Sequence, residues 1–484
     1  MNKEENMKIK ITDEMLAVPG VHIIDAPTGA GKSRAVKELK VPTLVVSPRR
    51  ALVDQQVEET FKGHNNIIVK TVQSLAYMSQ PEEYLEQFSV VISDETHDLI
   101  IGADYDNKMI QLTRIILHAP VLICLTATDV GLETLFSLFG RKAMVHKYAD
   151  NVWKTLKGGT FGYIPDIETA IDTINRKVAN GEKVLFFADK ISQIVKIQKG
   201  FLYEKQVLPV VAKSNPAYKK LCKDRAIEID TLIKTQKFPV GVNIVCTTRC
   251  MDVGLNILDS QVTTVICSID CLVTLRQCLG RKRLDEGETV DFYCIPPKSQ
   301  SLTKRKEKIE AELGKYDTYC NHYEVYKAER EGVKLSDKEI VYHTYTSGKK
   351  AEEIDFCKLV YYKYLMSTIY KTPTTLAWRG LVEQMLGCQG VQMKSMRQKR
   401  DEQWQYEQTK KLLRKKLNTK DEKKLLIEIY DEDLKSPKAF NRLWEARGWD
   451  FRVEGDLEGE PTYVTDENGK RKKKRNRNAW MVSE

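Results

Sequence analysis

Residues Ala26–Ser33 read APTGAGKS, and Val90–His97 read VVISDETH. The first stretch decides the fold of the opening third of the chain. Apolar Val21, Ile23 and Ile24 make a short strand that ends in a tight turn of small residues, Pro27, Thr28, Gly29, Ala30 and Gly31. The two glycines leave backbone N–H groups free to close around phosphate oxygens. Lys32 supplies positive charge for the β- and γ-phosphates, and the Ser33 hydroxyl is placed for Mg2+. Ser33 to Leu39 reads as a helix whose N-terminus faces the anion. In the second stretch, Val90, Val91 and Ile92 are apolar on both faces, as a central parallel strand requires. Asp94 at its carboxyl end would hold Mg2+ and Glu95 would polarise an attacking water. The pair predicts an ATP and Mg2+ site with hydrolytic chemistry.

The chain has 484 residues, enough for two to four domains with sizeable cores. A formal charge of +10, from 77 basic and 67 acidic residues, points to a polyanionic partner. The opening MNKEENMKIKITDEM has no apolar signal region, and no apolar run is long enough to cross a bilayer. We therefore expect a cytoplasmic, nucleic-acid-associated protein, with a nuclear site left open by the basic C-terminus. Of the eleven cysteines only Cys124 precedes residue 222, so an iron–sulfur cluster with four thiolates has no place in the first α/β unit.

Short β-branched runs alternate with helical patterns through the first 145 residues: Val21–Ala26, Thr43–Ser47, Ile67–Thr71, Val90–Asp94 and Val121–Thr126. That alternation predicts a parallel sheet covered on both faces. Tyr148–Thr160 reads as a linker. The pattern restarts with Lys183–Ala188, Val207–Val211, Val242–Thr247, Thr263–Cys267 and Val290–Ile295. Beyond residue 300 the texture becomes helical, as in Phe356–Tyr370. The run GKRKKKRNRN from Gly469 predicts a disordered basic tail, serving either as a solubilising or import-like end or as a phosphate-binding arm. The expected layout is α/β with two parallel-sheet domains, 1–150 and 151–299, then a mostly helical region, 300–468, and a tail, 469–484.

Two α/β units with both nucleotide motifs in the first resemble a superfamily 2 helicase or translocase motor, which implies that both parallel-sheet domains are RecA-like. The further motifs stand in that family's order: VVSPRRALVDQQ (Val45–Gln56), KTVQSL (Lys70–Leu75), DETH (Asp94–His97), LTAT (Leu125–Thr128), VLFFADK (Val184–Lys190), CTTRCMDVGLNI (Cys246–Ile257) and RQCLGRKR (Arg276–Arg283). The resemblance implies that Ser47, Pro48, Arg49, Thr71 and Gln73 lie along one nucleic-acid strand. Thr247 and Thr248 would join them from the second unit. Thr126 and Thr128 would couple nucleotide state to domain closure, with Asp252 and Gly254 contacting nucleotide and strand across the cleft. Gln277, Arg281 and Arg283 would face the triphosphate, and His97 would bridge to the second unit. The family's outer arginine position is Leu284 here, which makes Arg283 the expected finger and Arg281 its alternative. This QxxGRxR spacing is similar to that of herpesvirus origin-binding-type helicases and of some phage and mobile-element helicases, and it favours DNA. No glutamine precedes the phosphate loop as in DEAD-box RNA helicases. Three activities share these motifs: unwinding or translocation, ATP-gated loading or remodelling without strand separation, and RNA unwinding.

Overall fold

The computed structural model describes residues 9–26, 30–48, 53, 56–106, 108–128, 130–148, 159–201, 204–213, 215–249, 256–285, 287–330, 339–346, 349–394, 396–414, 416–417, 423, 426–427, 429–430, 434, 436–457, 462–465, 471–474 and 479–483. They fall into two compact units, 1–393 and 394–484.

The first sheet of the larger unit holds six parallel strands: Gly20–Asp25 (β1), Thr43–Ser47 (β2), Ile67–Thr71 (β3), Val90–Ser93 (β4), Val121–Thr126 (β5) and Ala143–Lys147 (β6), in the order β3-β2-β4-β5-β1-β6. Every residue of β2, β4 and β5 is buried, because helices cover both faces. The register places Asp25 opposite Thr126. The amide of Ala26 donates to the Thr126 carbonyl, that of Asp94 to Val46 and that of Thr96 to Leu125. The carboxyl ends of β1, β4 and β5 therefore finish side by side, where ligands of parallel sheets bind.

The second sheet holds seven parallel strands: Phe161–Tyr163 (β7), Lys183–Phe187 (β8), Val207–Val210 (β9), Ile244–Thr247 (β10), Val262–Cys267 (β11), Asp291–Cys294 (β12) and Val391–Gln392 (β15), in the order β15-β7-β12-β11-β8-β10-β9. Strand β7 is short and centres on Gly162. A Cβ there would lie 2.9 Å from the Val391 carbonyl oxygen, so β15 can close on this edge only against glycine. The α/β architecture is thus two RecA-like parallel sheets, followed by a mostly helical region.

That region packs on both sheets. Helix Phe356–Ser367 lies against the first, with Cys357 Sγ 3.3 Å from the Thr113 hydroxyl. From helix Ser299–Asn321, Arg305 reaches Asp270 at 2.8 Å and Asp104 at 3.3 Å, one carboxylate from each half. Trp378 Nε1 donates to the Asp270 carbonyl at 2.8 Å. A hairpin of Val341–Thr346 (β13) and Lys349–Ile354 (β14) interrupts the helices. Among the described residues no helix is long and apolar enough to cross a membrane.

The smaller unit carries strands the sequence did not suggest: Lys416–Leu417 (β16), Arg452–Leu457 (β17), Thr462–Thr465 (β18), Arg471–Lys474 (β19) and Ala479–Ser483 (β20). The expected disordered tail is here corrected. Residues 471–474 pair with β18, and 479–483 form the middle strand of a three-stranded sheet. Backbone pairing and the buried Ala479 and Val482 outweigh a composition that reads as solvated.

Candidate active site in the cleft between the two sheets

Lys32 opens helix Lys32–Lys37, after Gly31 at φ 91°, a left-handed conformation in which a side chain would be strained. The Lys32 ammonium is buried and donates to the Ala26 carbonyl at 2.8 Å. Burial lowers its pKa, against the pull of Glu95 and Asp94. Ala30, Gly31 and Ser33 complete the described part of the loop. Pro27, Thr28 and Gly29 lie outside the described residues, as do Arg49, Asp252 and Gly254.

Asp94 and Glu95 follow β4. Glu95 takes φ 48°, a left-handed conformation that costs a non-glycine residue energy and is held only where the surroundings impose it. Burial, then repulsion from Glu95, pushes the Asp94 carboxyl up to about 6. Burial opposes charge on Glu95 too, but His97, Lys32, Arg281 and Arg283 together hold its pKa below the usual carboxylate value. The two acids are therefore driven apart: Glu95 is held ionised, while the charge on Asp94 is the one a bound cation would stabilise.

Gln56 was not singled out from the sequence. It begins a π-helical turn, Gln56–Thr60, accepts from the Ser47 hydroxyl at 2.6 Å and donates to Asp94 Oδ2 at 2.8 Å. It fixes one oxygen of Asp94, and the Glu95 amide donates to the other at 3.1 Å. Nothing in the spacing of VVSPRRALVDQQ announces this contact, because it depends on the π-turn.

The second sheet supplies the opposite wall. Gln277, on helix Leu272–Leu279, is buried and makes a short hydrogen bond to His97 Nε2. His97 Nδ1 lies 3.1 Å from the Thr126 hydroxyl and 3.6 Å from Glu95 Oε2. Burial lowers the His97 pKa, against the pull of Glu95 and Asp98. The Thr126 hydroxyl donates to the Thr128 carbonyl at 2.8 Å and accepts from the Thr128 amide at 3.1 Å. One hydrogen-bonded chain thus runs from Gln277 through His97 to Thr126 and Thr128.

Arg281 Nη2 lies 4.0 Å from Glu95 Oε1. Arg281 is 4% exposed, yet among the described residues its Nε and Nη2 have no hydrogen-bond partner, and neither has Glu95 Oε2. Buried orphan donors and acceptors are costly, and here they converge on one space. Arg283 is differently placed. Its Nε donates to Asn256 Oδ1 at 2.9 Å, and burial together with Arg281 lowers its pKa to about 10. Between them Lys282 is buried and held by Glu288 at 2.8 Å and by the Arg283 carbonyl at 2.6 Å.

The residues expected along a strand divide. Ser47 and Thr247 are fully buried, with hydroxyls turned to Gln56 and to the Thr248 carbonyl, and Pro48 is buried as well. Their side chains do not face solvent. Thr71, Gln73 and Thr248 are partly exposed at the carboxyl ends of their strands or just beyond.

No family model matches this chain. A protein of African swine fever virus, QP509L, whose name proposes an ATP-dependent RNA helicase, is 28% identical over 142 residues, covering 24% of this chain. The match spans 28% of that relative's length. Solved structures that resemble the chain include the Escherichia coli DEAH/RHA helicase HrpB, with 16% identity, TM-score 0.41, and coverage of 60% of this chain and 42% of that one. S. cerevisiae Dbp5 bound to RNA and ADP BeF3 gives 12% identity, TM-score 0.40, and coverage of 58% and 80%.

Proposed function

We propose that residues 1–393 are a nucleic-acid-stimulated ATPase of the helicase or translocase kind, with halves at 1–150 and 151–299. One observation carries the reading: Lys32, Asp94 and Glu95 of the first sheet meet Gln277 and Arg281 of the second around orphaned, buried polar atoms. Such a site is built for charge that arrives with a ligand. The strained Glu95 supports the same view.

The residues fit ATP and Mg2+. The loop through Ala30, Gly31, Lys32 and Ser33, with Pro27, Thr28 and Gly29 before it, would hold the phosphates, and Gly254 would reach them from the second half. Ser33 and Asp94 would hold Mg2+. Bound Mg2+ supplies neutralisation of charge on the β- and γ-phosphates. Lys32 adds a fixed charge beside them. Glu95, held ionised, orients the attacking water and takes its proton. Arg281 is aimed to stabilise charge on the transferring group, and Arg283 is anchored behind it by Asn256. We therefore favour Arg281 over Arg283 as the finger. The chain Gln277–His97–Thr126–Thr128 would report cleft closure to the first half, with Asp252 acting alongside it. Thr71, Gln73, Thr248 and Arg49 would grip the strand through phosphates, without reading bases.

For the strand itself, the viral relative favours RNA, since its name proposes an RNA helicase. The QxxGRxR spacing favours DNA. ATP turnover measured with single- and double-stranded DNA and RNA tests both. Stimulation at least several-fold by one single strand supports the motor. Turnover indifferent to all four would refute it.

A further inference from the structure

Residues 394–484 fold around a core of their own, formed by Leu417, Leu426, Tyr430, Phe440, Trp444, Phe451, Val453 and Val482. The buried Tyr430 hydroxyl accepts from Trp444 Nε1 at 2.7 Å and meets the Thr409 hydroxyl at 2.6 Å. In chain order the unit runs helix Met396–Lys410, β16, helical residues Lys423, Leu426 and Ile427, helix Pro437–Ala446, β17, the β18–β19 ribbon, and β20. The sheet order is β16-β20-β17, so the last strand enters between the first two, and the ribbon is an excursion between β17 and β20.

We propose that this unit is a winged helix-turn-helix module that binds duplex DNA, with helix Pro437–Ala446 in the major groove and the β18–β19 ribbon on the neighbouring phosphates. It is a second nucleic-acid site, separate from the ATP cleft, and it does not depend on the motor reading.

Three observations carry it. First, the order and pairing just given put one helix, Pro437–Ala446, directly before the strand that leads into a two-stranded ribbon. Second, that helix is divided by its own spacing. Phe440 and Trp444, four apart, are fully buried, while Lys438, Arg442 and Glu445 are exposed. Two cations four residues apart span one turn, the reach of neighbouring phosphates and base edges. Third, the charge is concentrated. Between 394 and 469 there are 17 basic and 17 acidic residues, whereas 470–484 holds seven basic residues and one acidic. Four of the seven occupy consecutive positions of β19, paired by their backbone with β18. Fixing like charges in a paired strand costs self-repulsion, which a free tail would avoid and a polyanion offsets. The choice of DNA follows from groove geometry. A B-form major groove admits a helix or a two-stranded ribbon, whereas the A-form major groove of RNA is too narrow for either.

The test uses the full chain without ATP. Binding of a fluorescent 20-base-pair DNA duplex, the matching RNA duplex and one single DNA strand is followed by anisotropy between 50 and 300 mM salt. The parent protein should prefer the DNA duplex. Replacing Arg471, Lys472, Lys473 and Lys474 together by Gln should weaken duplex binding at least about tenfold, and lower the salt exponent by roughly two to four, at ~0.9 per phosphate contact. Lys438→Gln with Arg442→Gln, a surface pair, should weaken duplex binding severalfold, and it decides the matter if the ribbon variant loses its folded circular-dichroism spectrum. Unchanged duplex affinity and salt exponent in both variants would overturn the proposal. So would an RNA duplex bound as tightly as the DNA duplex, or an equal loss on the single strand. A failed motor reading would appear in ATP turnover and leave these binding curves untouched.

Discussion

Replacing Asp94 by Asn should separate stability from activity. The Asp94 carboxyl is pushed from an ordinary 3.8 up to about 6, first by burial and then by Glu95, while Lys32 and the Gln56 amide pull it down. A folded-state value above the unfolded one means that the folded protein binds the proton more tightly. The stability this group lends is complete below the unfolded value and is lost as pH rises through the folded one. The window runs from about pH 4 to pH 6, with a plateau above. Roughly two units at about 1.4 kcal/mol each set a cost of ~3 kcal/mol at pH 8. Asparagine keeps the shape and carries no charge, but it offers one oxygen where Asp94 offers two, so one of the hydrogen bonds from Gln56 and the Glu95 amide is given up. In buffer free of nucleotide and metal, Asp94→Asn should therefore exceed the parent by on the order of 1–3 kcal/mol at pH 8. At pH 5 the gain should be roughly half as large, since the parent is then largely protonated. ATP turnover should be lost. Urea melts of both proteins at pH 8 and pH 5, followed by far-UV circular dichroism, measure this. A variant less stable than the parent, or a gain equal at the two pH values, would show that Asp94 is not the strained charge described.

Arg281→Ala should lower turnover by ~10³-fold or more, with nucleotide affinity largely kept. Arg283→Ala should cost much less, because its guanidinium is tied to Asn256; steady-state kinetics with the order reversed would restore Arg283 as the finger. Gln277→Ala leaves His97 Nε2 buried without its donor, a loss of about 1–3 kcal/mol. Strand-stimulated turnover should fall further than basal turnover, and an equal fall in both would argue against a coupling role. Gln56→Ala orphans the Ser47 hydroxyl and one oxygen of Asp94. It should lower the melting temperature and raise KM for Mg-ATP, and a thermal melt and KM like the parent's would show the bridge to be incidental.

The central strands were legible because burial on both faces leaves a run such as Val90–Ile92 no polar position to disguise it. Strand β6 is not legible because it is an edge: Met144 and Lys147 are exposed, Val145 and His146 are partly so, and they mix apolar with polar without a clean period. Strand β7 is three residues around a glycine, and both its partners, β12 and β15, lie more than a hundred residues away. In the cleft, residue types announced Lys32, Asp94 and Glu95, whereas the Gln56 bridge and the Asn256 anchor depend on tertiary contacts. Ser47 and Thr247 matched their motifs, but the pleat turned both inward. The last fifteen residues misled through composition. Seven basic residues read as solvent-facing chain, yet four of them, 471–474, form β19, whose partner β18 lies close by in sequence. Truncation after Asn468 would remove β20, the central strand of that sheet, so point substitutions are the cleaner probe of the ribbon.

Glu95→Gln tests the hydrolytic cleft most directly. The amide keeps the size of the side chain but cannot take a proton from water. Single-turnover hydrolysis and ATP-dependent binding to a single strand should be measured on the same preparation. Hydrolysis should be lost while ATP still raises strand affinity, leaving a trapped complex. Near-parental turnover in Glu95→Gln would contradict this.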